Sequence, residues 1–173
     1  GPINVAIYNL GAQIGNRKLD SLTDKVFELG WKMGTFGLFR LAKSLFPYME
    51  KRKKGTLIVT SSTAAVRGNR GQHSHAAAMG GRRMLCQTLT DEFSNKGIHV
   101  VHAIVDGAVD APDTLGKMLG AEEYKKLRES KGMENDGLIL PRKIAEAYLY
   151  LSEQHRSTWT HEIDFRAFSD QPW

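Results

Sequence analysis

Ser62 closes the apolar run GTLIVTSS (55–62), and His75 follows within the small-residue stretch GQHSHAAAMGGRRMLCQTL (71–89). A hydroxyl can hydrogen-bond a polar ligand, and an imidazole titrates near neutrality, so it can donate a proton at working pH. The plainer readings of the same residues are a strand-end hydrogen-bonder and a histidine at the surface or core edge. Four residues beyond His75, on the same helical face, stands Met79. Its thioether carries no charge and donates no hydrogen bond. Arg83, one further turn along, is the nearest candidate for a supporting charge. His73 and His75, at i and i+2 on a helix, do not share a face, and no carboxylate or thiol stands at ligand spacing beside them, so no metal site is expected. Cys86 falls in an apolar helical pattern and is expected in the core rather than as a nucleophile. As the single cysteine it excludes an intramolecular disulfide and fits a reducing, intracellular compartment.

The elements that must hold these residues are legible. INVAIYNLG (3–11), GTLIVTSS (55–62), IHVVHAIVDG (98–107) and HEIDFRA (161–167) read as strands, short, β-branched and flanked by turn residues. The first three are apolar on both faces, as covered strands of a parallel sheet must be; the last alternates and suits an edge. Over 23–50, Val26, Leu29, Met33, Gly37, Leu41, Leu45 and Tyr48 recur at helical spacing, with Ser21 or Thr23 as candidate caps. Ala77, Gly81, Leu85, Leu89 and Phe93 do the same over 72–95. A polar, mobile helical insert follows at 113–131, where Met118, Leu119 and Tyr124 suggest an apolar wall. Pro141 opens a last helix over 142–153.

The order β-α-β-α-β-α-α-β predicts an α/β fold, a doubly wound parallel sheet in one domain over 1–173, without a repeat or an internal linker. The first strand has no earlier neighbour, and an apolar edge strand is a liability. We therefore expect further polypeptide before Gly1.

Bulk properties narrow the partners. The chain has 173 residues, 41% hydrophobic and 25% charged, which suits a packed core and excludes disorder. No apolar run approaches a membrane span, and no secretory pattern opens the sequence. Net charge is +5, with the densest basic run at Lys51-Arg52-Lys53-Lys54. The run stands at a helix end, where cations complement the macrodipole, and lacks the interleaved aromatics of a nucleic-acid surface.

Laid in order, these stretches resemble the C-terminal two thirds of the short-chain dehydrogenase/reductase superfamily, without its N-terminal βαβ cofactor half. YNLGA (8–12) is similar to the Asn-Asn-Ala-Gly turn after the family's fourth strand. GTLIVTSSTAAVRG resembles the strand bearing its catalytic serine, and GIHVVHAIVDGAVDAP the strand and loop after the catalytic helix. WTHEIDFRAF is similar to a closing strand. The resemblance implies a Rossmann-type fold, NAD(P) contacted by Asn9, Gly11, Asp106 and Gly107, and a Ser-Tyr-Lys set assisted by a relay asparagine. In that set tyrosine is the acid/base, lysine lowers its pKa and holds the nicotinamide ribose, and serine bonds the substrate oxygen. Here the serine is Ser62, but His75 stands for tyrosine, Met79 for lysine and Gly34 for asparagine. In the loop after the third strand, Asp106 replaces proline and Ala111 the usual threonine. No G-x-G-x-x-G follows a strand, so this chain by itself is not expected to hold NAD(P) tightly.

Three functions follow as expectations. The first is a catalytically impaired dehydrogenase-like protein with a binding or assembly role. It would be a homo-oligomer through helices 23–50 and 72–95, which form the dimer interface in the family. The second is an NAD(P)-dependent oxidoreductase acting on a carbonyl or alcohol through Ser62 and His75. The third, a component of an RNA-containing assembly, rests only on a pI near 9.4 and the 51–54 run.

Overall fold

The computed structural model describes residues 1–11, 18–132 and 134–170. Four strands, β1 (Val5–Tyr8), β2 (Gly55–Ser62), β3 (Ile98–Asp106) and β4 (Glu162–Arg166), form one sheet in the order β1-β2-β3-β4. β1 pairs parallel to β2, with Val5 opposite Thr56 and Tyr8 opposite Val59. This is the α/β Rossmann-type architecture the sequence predicts. β2 and β3 are buried along most of their length, while β4, at one end of the order, alternates between half-buried and exposed residues. β1 is the exception to the expected two-sided burial. It stands at the other end of the order, and Val5 and Ile7 are exposed.

The chain divides into two compact units, Gly1–Ile104 with His155–Ile163, and Val105–Gln154 with Asp164–Trp173. In the first, α1 (Asp24–Trp31) starts at Thr23, whose hydroxyl accepts the Val26 N–H at 3.3 Å, so Thr23 rather than Ser21 is the cap. A π-helical turn (Lys32–Phe36) then leads into α2 (Gly37–Arg52). The helix ends where Lys53 turns left-handed at φ 51°, leaving Lys51 and Arg52 in the last turn beside the negative end of the dipole. Arg52 also donates to the Ile3 carbonyl at 2.7 Å, tying this terminus to the segment before β1.

The inward stripe differs from the expected series. Gly30, Gly34, Thr35, Leu38, Ala42, Leu45, Phe46 and Met49 are buried, whereas Leu29 and Tyr48 are exposed. Two causes act together. The π turn inserts an extra residue and rotates the downstream register. The opposite face is also apolar, with Phe27, Trp31, Phe36 and Phe39 exposed on it, so periodicity could not choose between stripes.

α3 (His73–Phe93) shows the same offset: Ser74, Ala78, Met79, Arg82, Cys86 and Leu89 are buried, and Ala77 is exposed. A charged residue within the buried stripe hid it from a hydrophobic count. The core between these helices and the sheet contains Tyr8, Leu38, Phe46, Met49, Leu57, Val59, Cys86 and Ile98. Burial pushes the Cys86 thiol up to about 12, consistent with an inert core residue.

In the second unit, a π turn (Pro112–Gly116), α4 (Lys117–Leu119) and α5 (Ala121–Lys131) build the polar insert, and α6 (Pro141–Glu153) begins on its proline. Met118 and Leu119 are exposed, so only Tyr124 of the expected apolar wall is buried. Its hydroxyl donates to Asp110, which Arg128 approaches to 3.2 Å. Among the described residues no helix is long and apolar enough to cross a membrane.

Candidate functional site

The end of β2 and the first turn of α3 bring Ser62 and His75 together, with Ser62 Oγ 3.0 Å from His75 Nε2. Both side chains are half-buried, so the pair remains reachable. One turn along α3, Met79 points inward at 3% exposure, and the Ser61 hydroxyl donates to its sulfur at 3.8 Å. Gly34 lies within the π turn; a Cβ there would stand 2.7 Å from Ala78 Cβ and 3.1 Å from Met79 Cε. The asparagine that the resemblance implies at 34 therefore has no room. Helix approach at this point is sealed by Thr35, which donates to the Ala78 carbonyl at 2.6 Å.

Beside Met79 lies a group that the sequence reading missed. Arg82 is 2% exposed, and its guanidinium donates to three backbone carbonyls: Gly34 at 2.7 Å, Thr60 and Leu10. Its carbon lies 5.1 Å from the centre of the Tyr8 ring, within cation–π range. Burial pushes its pKa down, yet a guanidinium stays charged at any physiological pH. These carbonyls belong to the turn after β1, the π turn and β2, the three segments that carry Gly11, Gly34 and Ser62. Gly11, at φ +137°, is required by the same cluster, since a Cβ there would meet Arg82 Nη2 at 2.8 Å and Met79 Cε at 3.5 Å. Arg82 follows Met79 by three and precedes Cys86 by four, a spacing that would have placed it on the buried stripe.

Arg83, the candidate for a supporting charge whose direction the sequence leaves open, is directed elsewhere. It makes a bidentate pair with Glu162 at 2.7 and 2.8 Å, and Glu162 also accepts from His102 Nδ1 at 2.9 Å. The Arg83 hydrogen bonds hold the Glu162 carboxyl below its usual range. Burial pulls the fully buried His102 down to about 4, against the pull of Glu162.

This network predicts that the fold loses stability in acid. The unfolded chain protonates His102 near 6.5 and the folded chain only near 4, so the histidine's contribution is complete above pH 6.5 and is lost as pH falls toward 4. Two to three pKa units correspond to about 3 kcal/mol. Glu162 adds a further loss as pH falls below its usual 4.5. Urea melts between pH 7.5 and 4.5 should show this slope in the native chain and a shallower one in His102→Gln; equal slopes would refute the assignment.

Of the remaining cofactor candidates, Asn9 and Gly11 lie exposed on the turn after β1, and Ala12 lies outside the described residues. In the second unit the Asp106 carboxylate stands 3.4 Å from Arg166 Nε, and Gly107 adopts φ +141°. Among the described residues no group of three or more His, Cys, Asp or Glu side chains is placed to hold a metal.

Fold and site together define a class. The family model described as short chain dehydrogenase matches residues 1–118, and the chain belongs to that family. It is 26% identical over 167 residues to a 3-oxoacyl-acyl-carrier-protein reductase of Thermotoga maritima, covering 94% of this chain and 64% of that protein. It is 34% identical over 126 residues to a 12alpha-hydroxysteroid dehydrogenase of a Clostridium species, covering 73% of this chain and 48% of the other. A short-chain dehydrogenase from Rhodopseudomonas palustris superposes with a TM-score of 0.74 at 28% identity, over 96% of this chain and 63% of that one. The alcohol dehydrogenase of Thermococcus sibiricus, solved with 5-hydroxy-NADP, matches in fold at a TM-score of 0.75 and 20% identity, over 100% of this chain and 66% of that one. The chain thus spans under two thirds of the length of these two curated relatives.

Proposed function

We propose that this protein keeps the short-chain dehydrogenase fold but is impaired in hydride transfer, and that its work is binding or assembly. The observation that carries this reading is the buried Met79 thioether at the position where the resemblance implies lysine. The neighbouring cation is directed elsewhere: Arg82 Nε, Nη1 and Nη2 each donate to a backbone carbonyl, of Gly34, Thr60 and Leu10. The residues here do not fit the nicotinamide ribose of NAD(P), since neither Met79 nor the committed Arg82 offers it a donor. Asn9, Gly11, Asp106 and Gly107 are the residues that the resemblance offers to other parts of it.

Assembly as a homo-oligomer would use the outer faces of segments 23–50 and 72–95. Trp31, Phe36 and Phe39 stack in sequence there, with ring centroids 5.6 and 6.2 Å apart, and Met84 is exposed on α3. Apolar exposure of this kind is costly unless covered.

The 3.0 Å contact between Ser62 and His75 favours a second reading, an NAD(P)-dependent oxidoreductase with histidine as the proton donor to a carbonyl. The two readings part in one experiment on the protein at its native length. NAD(H) and NADP(H) are titrated by thermal shift, a panel of carbonyls and alcohols is assayed, and sedimentation reads the oligomer. Impairment predicts no turnover. Cofactor at 100 times its dissociation constant would stabilise by about 2.7 kcal/mol. Turnover that disappears in His75→Phe would overturn the first reading in favour of the second.

A further inference from the structure

Replacing a phenol by an imidazole changes what the serine beside it can do. A phenol keeps its proton at neutral pH, whereas a neutral imidazole presents a ring nitrogen that can remove one. Ser62 Oγ stands 3.0 Å from such a nitrogen, His75 Nε2, which is the distance a general base needs to activate a hydroxyl. The serine is held in extended backbone, φ −144° and ψ 172°, at the end of a buried strand, and its half-buried side chain can be reached from solvent. The neighbour one turn beyond His75 is the neutral Met79. Arg82, further along the helix, is bonded to the Thr60 carbonyl, two residues before Ser62, and fixes the end of the strand that carries the serine.

We propose that Ser62 and His75 form a nucleophile–base pair that takes an acyl group from an activated ester or thioester and passes it to water. Ser62 Oγ bonds to the acyl carbon while its proton moves to His75 Nε2. The tetrahedral adduct collapses, the carbon–oxygen or carbon–sulfur bond of the leaving group breaks, and the imidazolium returns the proton to the departing alkoxide or thiolate. Water, deprotonated by the same nitrogen, then attacks the acyl-serine, and Ser62 recovers its proton as the ester bond to Oγ breaks. The products are a carboxylic acid and an alcohol or thiol, with no change of oxidation state. This activity does not depend on whether hydride transfer survives.

A fluorophosphonate probe tests the pair without cofactor, since Oγ–phosphorus bond formation expels fluoride. Intact mass and peptide mapping should find one adduct, on Ser62, absent from Ser62→Ala. His75→Gln should label about 100-fold more slowly at an unchanged melting temperature. If His75→Gln does not fold, Ser62→Cys provides the second reading. Its thiol beside the imidazole should react with iodoacetamide well before the buried Cys86, which serves as internal control. Failure of the native chain to label overturns the proposal. So does labelling that persists in Ser62→Ala or is undiminished in a folded His75→Gln. For Ser62→Cys, modification no faster than that of Cys86 does the same.

Discussion

Arg82→Met should destabilise the protein by about 3–5 kcal/mol, read as a lowered midpoint in urea denaturation. The guanidinium lies at 2% exposure and donates to carbonyls on three separate segments, at Leu10, Gly34 and Thr60. Removing the donors takes a partner from one buried carbonyl, at Gly34, and two part-buried ones, at Thr60 and Leu10, each worth about 1–3 kcal/mol, with the lower end apt for the part-buried pair because water or a second partner can replace the bond. One effect opposes this. The native side chain is a buried charge whose partners are carbonyls rather than carboxylates, so deleting it recovers desolvation energy. Charge-assisted hydrogen bonds and the Tyr8 ring face already compensate much of that cost in the native chain, so the loss of the clamp wins. Arg82→Lys should recover only part, since a compact ammonium cannot reproduce the planar fork that spans three directions. A loss below 1 kcal/mol for Arg82→Met would show that the clamp is incidental.

Met79→Lys is the complementary experiment, and it should fail to restore the family's site. Position 79 is 3% exposed, and Met79 Cε and Arg82 Nη2 converge on the same space at Gly11. An ammonium there is desolvated and faces a like charge, and both effects push its pKa down. A depression of about two units costs about 3 kcal/mol at pH 7. The sign with pH is definite. The unfolded chain carries the lysine charged up to about pH 10.4, so the deficit is full at neutral pH and shrinks as pH rises toward that value. Thermal melts from pH 7 to 10 should converge on the native curve. Native stability of the variant at pH 7 would mean that the pocket tolerates a cation and would weaken the case for impaired chemistry. Positions 34 and 79 are physically coupled: Gly34 leaves the room that Met79 Cε fills. Single reversions therefore meet a packed interior rather than an empty site.

Several features were accessible from residue order alone. The runs at 55–62 and 98–107 are β-branched and apolar on both faces, and no neighbouring segment was needed to read them as covered strands. Pro141 and Thr23 act through their own backbone and hydroxyl at helix starts. The resemblance that sets Ser62, His75, Met79 and Gly34 against the family's set rests on ordered spacing alone. By contrast, nothing in the sequence singles out Arg82, whose charge suggests solvent, and the direction of Arg83, which Glu162 takes up, is open until the fold is known. Both concern the direction of a side chain on a helix that the spacing does predict.

Alternation, caps and turn residues are local physics, and they determined which segments are helix or strand and their order. The tertiary structure decided which of two apolar stripes on segments 23–50 and 72–95 turns inward, that a guanidinium sits among three carbonyls, and that Ser62 and His75 meet. The reason is the range of the forces involved. Helical spacing records that one face will be buried, but the choice of face is made by the π turn at 32–36 and by contacts between residues dozens of positions apart.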